Sequence, residues 1–194
     1  MSSSTSLRTK ATPVTALQVG LDNWFARNSE KLKTVMRVVF GLVWLVDAAF
    51  KFQPEFAQSF SDLISSTAAN QPSWLAGWFS FWAATTSTNP PLFAYSIALL
   101  ELFLAFCLIA GFLRKLAYTL GFFYSLILWS VPEGFGGPYG PSSTDIGTGI
   151  IYAIAFMLLL LINATSGPSK YSLDRLIEQK WPGWKRISEI RSGP

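Results

Sequence analysis

Asp47 and Lys51 stand four residues apart near the end of an apolar run that passes through Trp44 and Phe50. On a helix this spacing places both on one face, one turn apart, where they can pair while the lysine reaches outward to water. Charges in such a place either neutralise each other or engage a ligand. Glu101 is a sharper case, since it lies ten residues into a second apolar run, about 15 Å along a helix. No basic residue falls in the deep part of any apolar run, so this carboxyl is expected to be protonated or hydrogen-bonded. Tyr95, Tyr124, Ser125 and Tyr152 are the candidate partners. Glu101 then reads either as polar glue between helices or as a proton acceptor beside a ligand headgroup.

A third constellation lies between Val131 and Gly149, where glycine and proline are dense around Glu133, Gly136, Gly137, Thr144 and Asp145. Glycines let backbone N–H groups approach a ligand closely. The plainer reading is a tight turn in which Thr144 or Asp145 caps the helix that follows, with Gly147 and Gly149 allowing close packing. Other chemistries drop out. With a single cysteine, Cys107, and no histidine, the chain cannot form an internal disulfide relay, a bis-histidine haem site, a histidine-bound metal centre or a Ser-His-Asp triad. No metal ligand set is evident.

The elements that must position these groups are helices in a membrane. Hydrophobic residues make up 51% of the 194 and charged residues only 13%, too few to solvate a water-soluble surface of this size. Four apolar stretches have lengths near the 20 or so helical residues that a hydrocarbon core requires: Thr34–Phe52, Pro91–Phe112, Leu116–Pro132 and Ile146–Asn163. Pro90–Pro91 reads as the stiff start of the second. Between the first two, Gln53–Asn89 interleaves Trp74, Trp78, Phe79, Phe81 and Trp82 with Ser, Thr and Asn, as expected of short helices lying in the outer interface. The flanks containing Leu17, Leu21, Trp24 and Phe25, and Leu173, Leu176, Ile177 and Trp181, look like amphipathic surface helices. The expected fold is all-α: an integral membrane four-helix bundle over residues 34–163, with tails at 1–33 and 164–194 and amphipathic interfacial helices at both ends and in the first outer loop.

Four spans put the N-terminus, the Gly111–Lys115 turn and the C-terminal tail on one face. That face collects fourteen of the fifteen Lys and Arg residues, leaving Lys51 opposite. By the positive-inside rule both termini are cytoplasmic and the protein is expected to be multi-pass in the cell membrane. The basic residues flank apolar runs and form no patch on a soluble module, so the partner they imply is membrane lipid and no nucleic acid. The stretch before Thr34 has no apolar core ahead of a cleavage site, so the first span is expected to direct the chain to the membrane.

The motifs Trp44-Leu-Val-Asp47-Ala-Ala-Phe-Lys51-Phe-Gln-Pro54-Glu-Phe56 and Glu133-Gly-Phe-Gly-Gly…Thr144-Asp145-Ile-Gly-Thr-Gly-Ile-Ile-Tyr152 resemble the DoxX/DoxD-type membrane protein family over about residues 34–163. The resemblance implies a four-helix membrane bundle acting as the DoxD-type subunit of a thiosulfate:quinone oxidoreductase. Such a subunit works with a DoxA-like partner, oxidising thiosulfate to tetrathionate and passing electrons to a membrane quinone. On that basis Asp47, Lys51, Glu101, Glu133 and Asp145 are the catalytic candidates, and Lys51, Gly136, Gly137 and Thr144 the candidates to bind substrate. The outer loops are acidic, carrying Asp47, Glu55, Asp62, Glu133 and Asp145 against Lys51, a field that repels a thiosulfate dianion unless backbone amides offset it. Two other readings stay open: a non-catalytic membrane anchor or accessory subunit of a separate redox enzyme, and a small transporter using Asp47 and Glu101 as a proton path.

Overall fold

A computed structural model describes residues 13–69, 71–137, 145–166 and 169–190. The described elements are all helical: α1 Pro13–Lys51, α2 Pro54–Ala69, α3 Ala76–Ser87, α4 Pro90–Ala110, α5 Arg114–Ser130, α6 Thr148–Ser166, α7 Leu173–Lys180 and α8 Lys185–Ser188. Short 3₁₀ turns at Ser73–Leu75, Gly134–Gly136 and Pro182–Trp184 join some of them. Among the described residues two helices are long and apolar enough to cross a membrane, Pro90–Ala110 and Thr148–Thr165.

The ends of α4 follow from sequence chemistry. Asn89 Oδ1 accepts the Leu92 amide at 3.3 Å and prolines fill the first helical positions, where a missing N–H costs nothing. Gly111 ends the helix in a left-handed conformation, φ +66°. α1 packs along α4, and α5 along α6. At the centre Trp44, Leu104, Leu108, Tyr124 and Phe156 form one buried cluster, in which the Phe40, Trp44, Tyr152 and Phe156 rings meet edge-on or tilted.

Two expectations are corrected here. The basic segment before Thr34 is no separate surface helix, because α1 continues unbroken from Pro13. Nor does the first apolar run match α4 in extent. Gly41 lies against Leu108 and Ile109, and Lys51, the last residue of α1, lies against Glu101 in the middle of α4. α1 therefore stops part-way along α4. Pro54 restarts the chain as α2, whose Ala57, Phe60 and Ile64 are buried with Ala94 and Val131. Thr67 Oγ1 then donates to Pro132 O at 3.1 Å, at the far end of α5. The segment expected as an interfacial cap thus supplies, in α2, a packed wall of the bundle: residues 56, 57, 60 and 64 recur at helical spacing and need a buried face.

The C-terminal tail keeps the expected amphipathic character, with its polar side turned inward. Asp174 and Glu178 of α7 are buried, while Leu176 and Trp181 are exposed. Asp174 accepts the Leu113 and Arg114 amides at 2.8 and 2.9 Å and so caps α5 from a distant part of the chain.

Candidate functional site

Asp47 and Lys51 share a face of α1 as their spacing requires, and Lys51 Nζ donates to Asp47 Oδ2 at 2.7 Å. The lysine does not turn outward. Its Nζ also donates to both carboxylate oxygens of Glu101, each at 2.7 Å. The expectation of an outward-reaching Lys51, and of a Glu101 without a basic partner, fails because α1 ends beside the middle of α4. Tyr124 completes the cluster, its hydroxyl donating to Glu101 Oε1 at 2.6 Å. Of the other candidate partners, Ser125 is buried and its hydroxyl has no partner among the described residues, Tyr95 is exposed, and Tyr152 lines a cavity nearby.

Burial grades along the cluster: side-chain exposure is 37% at Asp47, 15% at Lys51 and 0% at Glu101. With both carboxylates ionised the group carries one net negative charge, and the single ammonium is saturated. Such a cluster resists disassembly, since removing either charge leaves the other buried without compensation.

Asp47, Lys51 and Tyr124 face a cavity of about 550 Å³. Its walls are otherwise mostly apolar: Phe56, Phe60, Leu63 and Ile64 from α2, Phe93 and Ile97 from α4, and Ile127, Leu128 and Val131 from the end of α5. Glu101 does not line it. The carboxylate sits behind Lys51 and Tyr124, which pass its influence to whatever occupies the space. Trp82 and Thr86 of α3 add to the rim, and the buried Trp82 indole N–H has no hydrogen-bond partner among the described residues. Sequence reasoning missed these α2 and α3 residues. The available signal was the spacing of Phe56, Ala57, Phe60 and Ile64, which is that of a helix with one buried face.

Glu133 also lines the cavity, but its carboxylate is engaged. It accepts the Gly149 amide at 2.9 and 3.1 Å and so caps the start of α6, the task expected of Thr144 or Asp145. Burial raises its pKa above the ordinary 4.5, with the Gly149 N–H opposing that shift. Asp145 turns back on its own loop, Oδ1 accepting the Gly147 amide at 2.7 Å. Gly136, at φ +75°, lies so close to Ile146 that a Cβ would fall 2.2 Å from its carbonyl oxygen, and Gly137 continues in extended backbone. The described residues lining the cavity include none of Asp145, Gly136 and Gly137. Gly149 has the close-packing role expected of it, since a Cβ there would meet Trp129 N at 2.7 Å. Thr144 lies outside the described residues.

The arrangement therefore joins Asp47, Lys51, Glu101 and Tyr124 into one unit and sets Glu133 in the wall of the same cavity. An apolar chamber with acid–base groups at one end suits a neutral, amphipathic molecule carrying hydrogen-bonding oxygens. It suits a dianion poorly, because Lys51, the cation among its described lining residues, is already matched twice. Comparison with protein-family models, with curated proteins and with solved structures finds no match for this chain.

Proposed function

We propose that this chain is a four-span membrane protein with both termini cytoplasmic, whose outer cavity receives the headgroup of a membrane quinone. In this reading it is the membrane subunit of a thiosulfate:quinone oxidoreductase-like system that works with a DoxA-like partner. The observation that carries the reading is the mostly apolar chamber ending on Lys51 and Tyr124, both bonded to the buried Glu101.

Membrane residence is supported by the apolar side chains that the bundle leaves uncovered, among them Val39, Val46, Leu99, Phe106, Ile151 and Leu158. The 17 residues of α5 extend about 25 Å, and the Val131–Pro132 continuation brings them near the thickness of a hydrocarbon core. α1 crosses only part of that thickness and α2 completes the passage. A broken crossing is tolerated where the break lines a cavity, as it does at Lys51.

Two thiosulfate ions joining through a new S–S bond release two electrons, and a quinone taking them up as quinol needs two protons. Lys51 and Tyr124 touch the cavity and carry transferable protons, while Glu101 behind them holds the ammonium and the phenol in place. The sulfur step belongs outside this chamber, at the loops or on the partner, since the cavity's net charge repels a dianion. The test is purified protein in nanodiscs, with and without the candidate partner, assayed for thiosulfate-dependent reduction of a short-chain quinone. One tetrathionate per quinol supports the reading. Quinone left oxidised in every combination contradicts it.

A further inference from the structure

On the opposite side of the bundle a buried guanidinium has two N–H groups left open among the described residues. Arg37 of α1 is 3% exposed, and its Nη2 donates to Tyr171 O at 2.7 Å. Among the described residues its Nε and Nη1 have no partner at hydrogen-bonding geometry, the Tyr118 hydroxyl being the nearby polar group, and no carboxylate forms an ion pair with it.

The neighbouring carboxylates are engaged by other cations. Lys33 pairs with Glu30 at 2.8 Å. Arg114 pairs with Asp174 at 3.0 Å, Glu178 at 3.3 Å and Glu189 at 3.6 Å. Buried N–H groups left without an acceptor are expensive, and folds retain them where something accepts from them. The fold also keeps room for the guanidinium: Nη1 lies over Gly111, where a Cβ would fall 2.1 Å away.

Arg37 shares a small cavity with Lys33, Arg114, Tyr118, Asn163 and Ser169. The open donors Nε and Nη1 belong to different edges of the guanidinium, so they diverge. A planar carboxylate is held best by one edge, whereas a tetrahedral oxyanion offers acceptors in several directions. Lys33 has donors left after its bond to Glu30, and Asn163 Oδ1, also buried and without a partner among the described residues, can accept from a hydroxyl or a protonated oxygen on the same ligand.

We propose that this cavity binds a phosphoryl anion, with its oxygens on Arg37 and Lys33. Two sources share that chemistry: the phosphodiester of an anionic lipid headgroup in the inner leaflet, and free phosphate. The site stands apart from the outer cavity and does not depend on what fills it.

Thermal unfolding of the full chain in neutral detergent tests this, with phosphatidylglycerol, phosphatidylcholine or inorganic phosphate added. Arg37→Gln is compared with Arg27→Gln, which removes the same charge from an exposed position on α1. Phosphatidylglycerol or phosphate is expected to raise the midpoint of wild type and Arg27→Gln and to leave Arg37→Gln unmoved, with binding at least tenfold weaker in that variant. A shift with phosphatidylglycerol alone assigns the lipid source, and a shift with phosphate as well assigns the free ion. If Arg37→Gln does not fold, the wild-type comparison decides: anion-specific stabilisation and phospholipid or phosphate retained in native mass spectra uphold the site. Equal responses to phosphatidylglycerol and phosphatidylcholine with none to phosphate, or equal shifts in both variants, overturn it.

Discussion

Lys51 Nζ stands 2.7 Å from each carboxylate oxygen of Glu101, although fifty positions separate the two in the chain. This contact ties the end of α1 to the middle of α4. Lys51→Met leaves the fully buried Glu101 without its cation, and such a loss costs about 3–5 kcal/mol. The double variant Lys51→Met/Glu101→Gln removes the stranded charge and should recover most of that loss. Unfolding midpoints in detergent measure both, and additive losses would show that the two residues are not coupled.

Tyr124→Phe deletes one donor to the same carboxylate. A hydrogen bond to a charged group contributes about 1.5–3 kcal/mol, so this variant should be destabilised less than Lys51→Met. In the quinone assay it should also slow turnover, because Tyr124 borders the cavity. Wild-type stability and turnover together would remove Tyr124 from the cluster's work.

The proposed topology places the α3–α4 junction outside and α7 inside. Cysteines at Ser87 and Gln179, both exposed, should react with an impermeant maleimide from opposite sides of sealed vesicles, with buried Cys107 silent. Labelling of both from one side contradicts four spans.

What the sequence reveals about this site follows the range of the interactions. The Asp47–Lys51 pair is legible because an i,i+4 relation is local, and the start of α4 is legible because Asn89 and two prolines spell it out. Glu101's partner is not, since the register of α1 against α4 is set by packing at contacts such as Gly41 on Leu108. The same blindness hides the caps on α5 and α6. Asp174 and Glu133 reach those helix starts from elsewhere in the chain, while the adjacent Asp145 serves its own turn. The cavity wall on α2 was written in the spacing of its apolar residues but masked by the polar residues between them.

Glu133 gives the bundle a pH dependence with a definite sign. Its raised pKa means that the folded protein favours the protonated form, so its contribution is full below 4.5 and is lost as pH rises through the raised value. Glu133→Gln keeps an acceptor for the Gly149 amide and cannot ionise. Midpoints recorded from acid to neutral pH should fall less steeply in the variant, and parallel curves would assign the slope to other groups.

The central claim is that the outer cavity holds a quinone headgroup. Leu63 and Leu99 are both exposed in part, but Leu63 lines that cavity and Leu99, on α4, does not. Equilibrium binding of a tritiated short-chain quinone to the purified protein should show one saturable site per chain. Leu63→Trp, which fills the chamber, should weaken it at least tenfold, and Leu99→Trp should leave it unchanged. Non-saturable partitioning that is identical in all three proteins would contradict the account.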